Sequence, residues 1–227
     1  RRLGRSGFDW VALDAQHGSL DRRALVDVAR ALTDASAPFV VRVPGVDPVW
    51  IGAALDAGAG AVIVPSVTGV ADAVTAARAS RYPPHGDRSW GQFAPMWGRD
   101  PLPPDAADDA IQCAVMVETA GALAEIEEVA AVPGVDVLFV GPLDLALSLG
   151  TTVEALLADR SPGNPLGRVV SAAATAGVLV AAFAGAPEAA ARLRAHGIHA
   201  LAIATDTGVV DAGAAAALAA DPADTGE

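Results

Sequence analysis

A chain of 227 residues, 52% of them hydrophobic and only 4% aromatic, is long enough for one large α/β domain whose core must be built from Ala, Val, Leu and Ile. The formal net charge of −12 comes with no basic run, which excludes the electrostatic footprint of a nucleic-acid binder and sets the chain against anionic membrane surfaces. All 15 basic residues are Arg, so imine chemistry on a lysine amine, with a carbonyl substrate or with pyridoxal phosphate (PLP), is excluded and carbonyl chemistry needs another electrophile.

Residues 1–7 read as the tail of a helix. Short, nearly continuous apolar runs follow at 10–15, 39–43, 61–65, 113–118, 135–140, 179–183 and 200–204, the pattern of parallel strands buried on both faces. Helical segments lie between them at 22–35, 48–57, 70–80, 120–131, 167–176 and 187–195. Gly58, Gly177 and Gly197 fall just past helix ends, where a left-handed cap is wanted. Alternation of strand and helix predicts a parallel α/β fold. A closed TIM barrel has eight strands, and seven are legible here. The expectation is therefore a TIM (β/α)8-type barrel, residues 1–227 forming a single domain, whose first strand and most of the first helix precede Arg1.

A doubly wound open sheet is the alternative, but no G-x-G-x-x-G turn follows the first strand, so no NAD-type dinucleotide site is expected. The segment 82–109, rich in Pro, Gly and Trp, is too long for an ordinary connection and predicts a functional or partly disordered loop. Residues 221–227 are expected to be a frayed tail. The single Cys113 rules out an intrachain disulfide, no signal peptide is visible and no apolar stretch is long enough for a bilayer, so a cytoplasmic setting is expected.

Barrel enzymes carry their chemistry at the C-terminal ends of the strands. That rule selects His17, Arg42, Glu118, Asp144 and Asp206. Glu118 and Asp144, at neighbouring strand ends, make a hard-cation site for a divalent metal, the competing reading being that each caps the helix after it. His17 suits a general base, against a solvated loop histidine. Arg42 suits a carboxylate or enolate oxygen, against a structural ion pair at the strand end. Asp56, in the helix after the Arg42 strand, is a candidate partner for the His17 imidazole, although its spacing alone reads as an ordinary helix surface residue.

Taken together, Gly7-Phe8-Asp9-Trp10, Leu13-Asp14-Ala15-Gln16-His17, Val41-Arg42-Val43-Pro44, Ser80-Arg81-Tyr82-Pro83-Pro84-His85-Gly86, Val117-Glu118-Thr119 and Gly141-Pro142-Leu143-Asp144-Leu145 resemble the HpcH/HpaI aldolase family. The resemblance implies a TIM barrel, usually hexameric, that cleaves 4-hydroxy-2-oxo acids into pyruvate and an aldehyde with a divalent ion (Mg, Mn or Co). It implies that Glu118 and Asp144 hold the metal, that His17 is the base paired with Asp56, and that Arg42 meets the keto oxygen. The pyruvate carboxylate would be received by backbone amides among Gly141, Pro142, Leu143 and Asp144. Four positions depart from the family pattern: Gln16 stands for a usual Glu, Met116 for a Gln, Leu143 for an Ala, and Ser89-Trp90 for smaller residues. Two further readings stay open, a citryl- or malyl-CoA-type lyase of the same superfamily and a non-catalytic barrel serving as a binding or assembly subunit.

Overall fold

The computed structural model describes residues 2–220; the tail expected at 221–227 lies outside them. Seven strands form one all-parallel sheet in sequential order, curled into a nearly closed barrel. They are β1 (Val11–Asp14), β2 (Phe39–Arg42), β3 (Ala61–Val64), β4 (Gln112–Val117), β5 (Val137–Val140), β6 (Leu179–Phe183) and β7 (Ala200–Ala202). The open-sheet alternative is thereby set aside. Among the described residues β1 pairs only with β2 and β7 only with β6, so these two strands flank the opening as the seven-strand count predicted.

The helices are α1 (Arg22–Thr33), α2 (Pro48–Asp56), α3 (Val70–Ser80), α4 (Pro104–Asp109), α5 (Ala120–Ala124), α6 (Ile126–Ala130), α7 (Pro142–Ser148), α8 (Val153–Ala158), α9 (Pro165–Ala176), α10 (Pro187–Ala195) and α11 (Asp206–Ala219). Local sequence explains their starts. Asp21, Asp47, Thr119, Thr152, Asn164 and Thr205 each accept a backbone N–H of the following first turn. Pro sits in the opening turn of α2, α7, α9 and α10, where its missing N–H costs no helical bond. Gly58, Gly177 and Gly197 take φ of +90°, +75° and +90°, the caps that their placement predicted.

Alternation along the strands divides the apolar residues into two clusters. One, with Val41, Val62, Val64, Val115, Leu138 and Val140, packs the outer face of the sheet against the helices. The other, Ile63, Ala114, Met116, Val137, Phe139 and Ala181, fills the barrel interior, with Trp10 and Val40 against it. The β-branched residues of β3 and β5 are buried at every position, which is why these strands read as unbroken apolar runs. By contrast α11 buries no residue.

The long segment after α3 is packed, not disordered, in its described form. The Arg88 side chain, 2% exposed, pairs with Asp56 at 2.9 Å and lies 4.5 Å above the Tyr82 ring, and the Trp90 ring packs tilted against Tyr82 at 5.4 Å between centroids. Gln92 and Leu102 exchange two hydrogen bonds, and the Tyr82 N–H is held by Asp108. No described helix is long and apolar enough to cross a membrane.

Candidate active site

The C-terminal rim of the sheet is organised from β1 outward by a residue whose part the sequence reading left unassigned. Asp14 ends β1 and accepts Nε and Nη2 of Arg42, at 2.9 and 2.6 Å, across the β1–β2 register in which the two residues are direct partners. Its Oδ1 also takes the N–H groups of Gln16 and His17, at 3.0 and 3.3 Å. Burial works against this carboxyl group, but the Arg42 bonds and charge and the two amides outweigh it and hold the pKa below its ordinary value. The structural ion pair foreseen as the alternative for Arg42 is therefore present. It leaves Nη1 of the guanidinium without a partner among the described residues.

Glu118 follows β4 and is 5% exposed. Its Oε1 accepts the Ser66 N–H at 2.6 Å, from the turn after β3. Neither Glu118 nor Asp144 caps the helix that follows it: Thr119 caps α5, and Gly141, which has no side chain to cap with, starts α7. Asp144 sits exposed in the first turn of α7, with no hydrogen bond among the described residues. Burial, with the nearby Asp144 charge, pushes the Glu118 pKa up, against the opposing pull of the Ser66 amide, Arg42 and His17. Asp144, Arg42 and His17 are thus each within electrostatic reach of Glu118.

Gly141 is a glycine here for want of space. A Cβ at this position would meet Glu118 Oε2 at 2.8 Å and Met116 Cε at 2.9 Å. Met116 can swing its terminal methyl aside, whereas Glu118 is pinned through its other oxygen. Gly141→Ala is expected to lower divalent-ion affinity by about tenfold with little change in melting temperature, as calorimetry with Mn²⁺ would measure.

Asp56 requires a correction. Helix α2 returns antiparallel to the strands, so its last residue stands at the opposite rim; Gly60, four residues on, donates to the Phe39 carbonyl at the start of β2. His17, beyond the C-terminal end of β1, is on the other rim, and the carboxylate of Asp56 is engaged by Arg88. The expected His17–Asp56 pair is not formed within the chain, because one helix length separates the two ends. The motif residue Arg81 also belongs to the far rim, where it pairs with Asp136 at 2.6 Å and helps to line a cleft of about 410 Å³. Asp136 accepts the Cys113 N–H as well.

The donor set fits a hard divalent cation in its chemistry. Two carboxylates stand at adjacent strand ends, one buried with a raised pKa and an oxygen, Oε2, that accepts no hydrogen bond from the described residues. Among the described residues no cluster of three or more His, Cys, Asp or Glu is placed to bind a metal, so other ligands would have to come from water or substrate. The sign of the pH effect follows from the raised Glu118 pKa. Protons compete for this carboxylate at pH values where an ordinary glutamate is already ionised. Metal affinity is expected to fall as pH drops through that raised value, while the metal-free fold loses stability as pH rises through it. Titrating Mn²⁺ affinity and urea stability between pH 4 and 8 on the same samples, a window of about four units around the carboxylate range, checks both signs.

The profile of the family described as HpcH/HpaI aldolase/citrate lyase matches residues 1–212. Over 181 residues the chain is 37% identical to a 2-dehydro-3,6-dideoxy-6-sulfogluconate aldolase of Pseudomonas putida, covering 74% of this chain and 71% of that protein. Over 180 residues it is 38% identical to a 4-hydroxy-2-oxovalerate aldolase of Novosphingobium aromaticivorans, covering 76% and 68%. A crystal structure of an HpcH/HpaI aldolase/citrate lyase family protein from Burkholderia cenocepacia superposes with a TM-score of 0.83 at 35% identity, covering 96% of this chain and 87% of that one.

Proposed function

The chain belongs to the HpcH/HpaI aldolase/citrate lyase family, and on that premise we propose that it cleaves a 4-hydroxy-2-oxo acid to pyruvate and an aldehyde, reversibly, through the enolate of pyruvate. The observation that carries this reading is the convergence of Glu118, Asp144, Arg42 and His17 at the C-terminal rim of a parallel barrel, in a chain with no lysine. Glu118 and Asp144 would hold a divalent cation of the Mg, Mn or Co type, which when bound supplies the Lewis acidity that an enolate requires.

The remaining chemistry falls to the chain's own groups. Nη1 of Arg42, which makes no bond among the described residues, would donate to the oxygen on which enolate charge develops, with the guanidinium oriented by its two bonds to Asp14. Pro142 has no N–H, so the amides open to the pyruvate carboxylate among residues 141–144 are those of Leu143 and Asp144, in the first turn of α7. Exposed Leu143, in place of a smaller residue, would narrow the entry. His17, its backbone fixed by Asp14, would take the proton of the 4-hydroxyl group as the carbon–carbon bond breaks and return it in the reverse direction. We propose a cytoplasmic homo-oligomer, a hexamer by resemblance, as the working form.

Incubating the protein with pyruvate and Mn²⁺ in deuterium oxide, without aldehyde, tests the reading. Methyl protons of pyruvate are expected to exchange, exchange is expected to stop on chelation, and borohydride is expected to trap no covalent adduct. Absence of metal-dependent exchange would leave the non-catalytic barrel as the better reading.

A further inference from the structure

One residue at the rim stands in a conformation that its own side chain disfavours. Ser66 has φ of +57°, in the left-handed region, and is one of two non-glycine residues with positive φ among those described. It directly follows the buried Pro65 at the end of β3, and its side chain is exposed. A backbone held in this region persists only where its surroundings determine it, and such positions gather at functional sites. Here the conformation has a visible product: the Ser66 N–H donates to Glu118 Oε1 at 2.6 Å.

The opposite side of the same carboxylate is closed by Gly141, with no room for a Cβ beside Oε2. Glu118 is thus gripped between the turn after β3 and the start of α7. One oxygen is occupied by an amide, and the other has no hydrogen-bond partner among the described residues.

We infer that Ser66 is a positioning residue, whose left-handed backbone fixes Glu118 through Oε1 and thereby presents Oε2 as the oxygen that meets the cation. The inference rests on the function proposed above and assigns it a residue that the motif comparison did not single out. It is the backbone of Ser66 that acts, not the hydroxyl. Tolerance at position 66 should therefore follow preference for the left-handed region, with Gly and Ala accepted and β-branched residues rejected.

The test uses the full chain and Mn²⁺ as the probe, with metal affinity by calorimetry and pyruvate methyl exchange measured for Ser66→Gly, Ser66→Ala and Ser66→Val. Gly and Ala variants are expected to bind Mn²⁺ within about twofold of the parent, and the Val variant at least about tenfold more weakly. Exchange by the Val variant should recover when Mn²⁺ is raised, a split that general loss of folded protein would not give. Should the Val variant fail to fold, Ser66→Thr, also β-branched, carries the comparison. Unchanged Mn²⁺ affinity in the β-branched variant overturns the assignment. So does a loss in Ser66→Ala as large as in Ser66→Val, since that places the effect in the hydroxyl. A parent protein that binds no Mn²⁺ removes the function reading and this one with it, whereas a parent that binds and exchanges while Ser66→Val matches it removes only this one.

Discussion

Glu118→Gln should depress metal-dependent methyl exchange of pyruvate by about a thousandfold, the loss of roughly 4 kcal/mol of Lewis-acid stabilisation. The substitution preserves shape, and a Gln carbonyl can still accept the Ser66 N–H that now reaches Oε1. What it removes is one of two anionic groups in the set, the one that is 5% exposed. Because the buried carboxylate carries a raised pKa, its neutral replacement should cost the metal-free fold nothing and should slightly stabilise it at neutral pH. Loss of exchange with an unchanged or higher melting temperature would be hard to explain as misfolding. Undiminished Mn²⁺ affinity in this variant, measured by calorimetry, would remove Glu118 from the metal site.

Arg42→Ala is the second large effect expected, a fall in exchange of about 10²–10³-fold, the size seen when one donor to a developing oxyanion is removed. The guanidinium does two things at once, and they can be separated. It neutralises Asp14 through Nε and Nη2, and it keeps Nη1 without a partner among the described residues. Asp14→Asn keeps the arginine and weakens its anchor, together with the hold on the Gln16 and His17 amides, so its cost sets an upper bound on the share due to orientation. In a double-mutant cycle, equal losses from Arg42→Ala, Asp14→Asn and the pair together would mean that Arg42 acts only through the ion pair. A clearly larger loss for Arg42→Ala supports the direct role. Arg42→Lys is expected to rescue little, because a single ammonium nitrogen cannot reproduce the planar fork in which Nε and Nη2 grip Asp14 while a third nitrogen stays free.

The β-strands were legible because a parallel barrel buries both faces of each strand, and their apolar runs lie within two residues of the observed bounds. Carboxylates and arginine at the strand ends were legible for the same reason: the polarity of a strand end is a local property. What escaped was set by long-range geometry. The helix expected over 120–131 is broken at Glu125, whose carboxylate turns away to accept the Val70 N–H from an element 55 residues earlier. Gly69, which starts α3, has no side chain for that task, and nothing near Glu125 announces the debt.

Asp56 failed in the opposite sense. Its interval from Arg42 matches the family pattern, but interval says nothing about which rim a helix residue reaches, and the partner it found, Arg88, came from the long loop. Asp14 was passed over since a strand-end aspartate reads as one more helix-side polar residue until its partner across the register is known. Ser66 carries no signal in a single sequence, and Gly141 was named only for its backbone, not for the space that a missing Cβ leaves beside Glu118. One matters through a dihedral angle, the other through the absence of an atom.

Helix α11 has a different kind of consequence. Its fourteen residues, six of them Ala, with Val209, Val210 and Leu218, make their own backbone bonds but bury none of their side chains against the barrel. A segment of this length is near the lower limit at which an isolated helix persists in water. Its amides are therefore expected, in the single chain, to exchange hydrogen with solvent on the terms of a helix–coil equilibrium, opening and closing without the rest of the chain. Within the single chain, α11 is therefore expected to contribute little to the cooperative melting of the barrel.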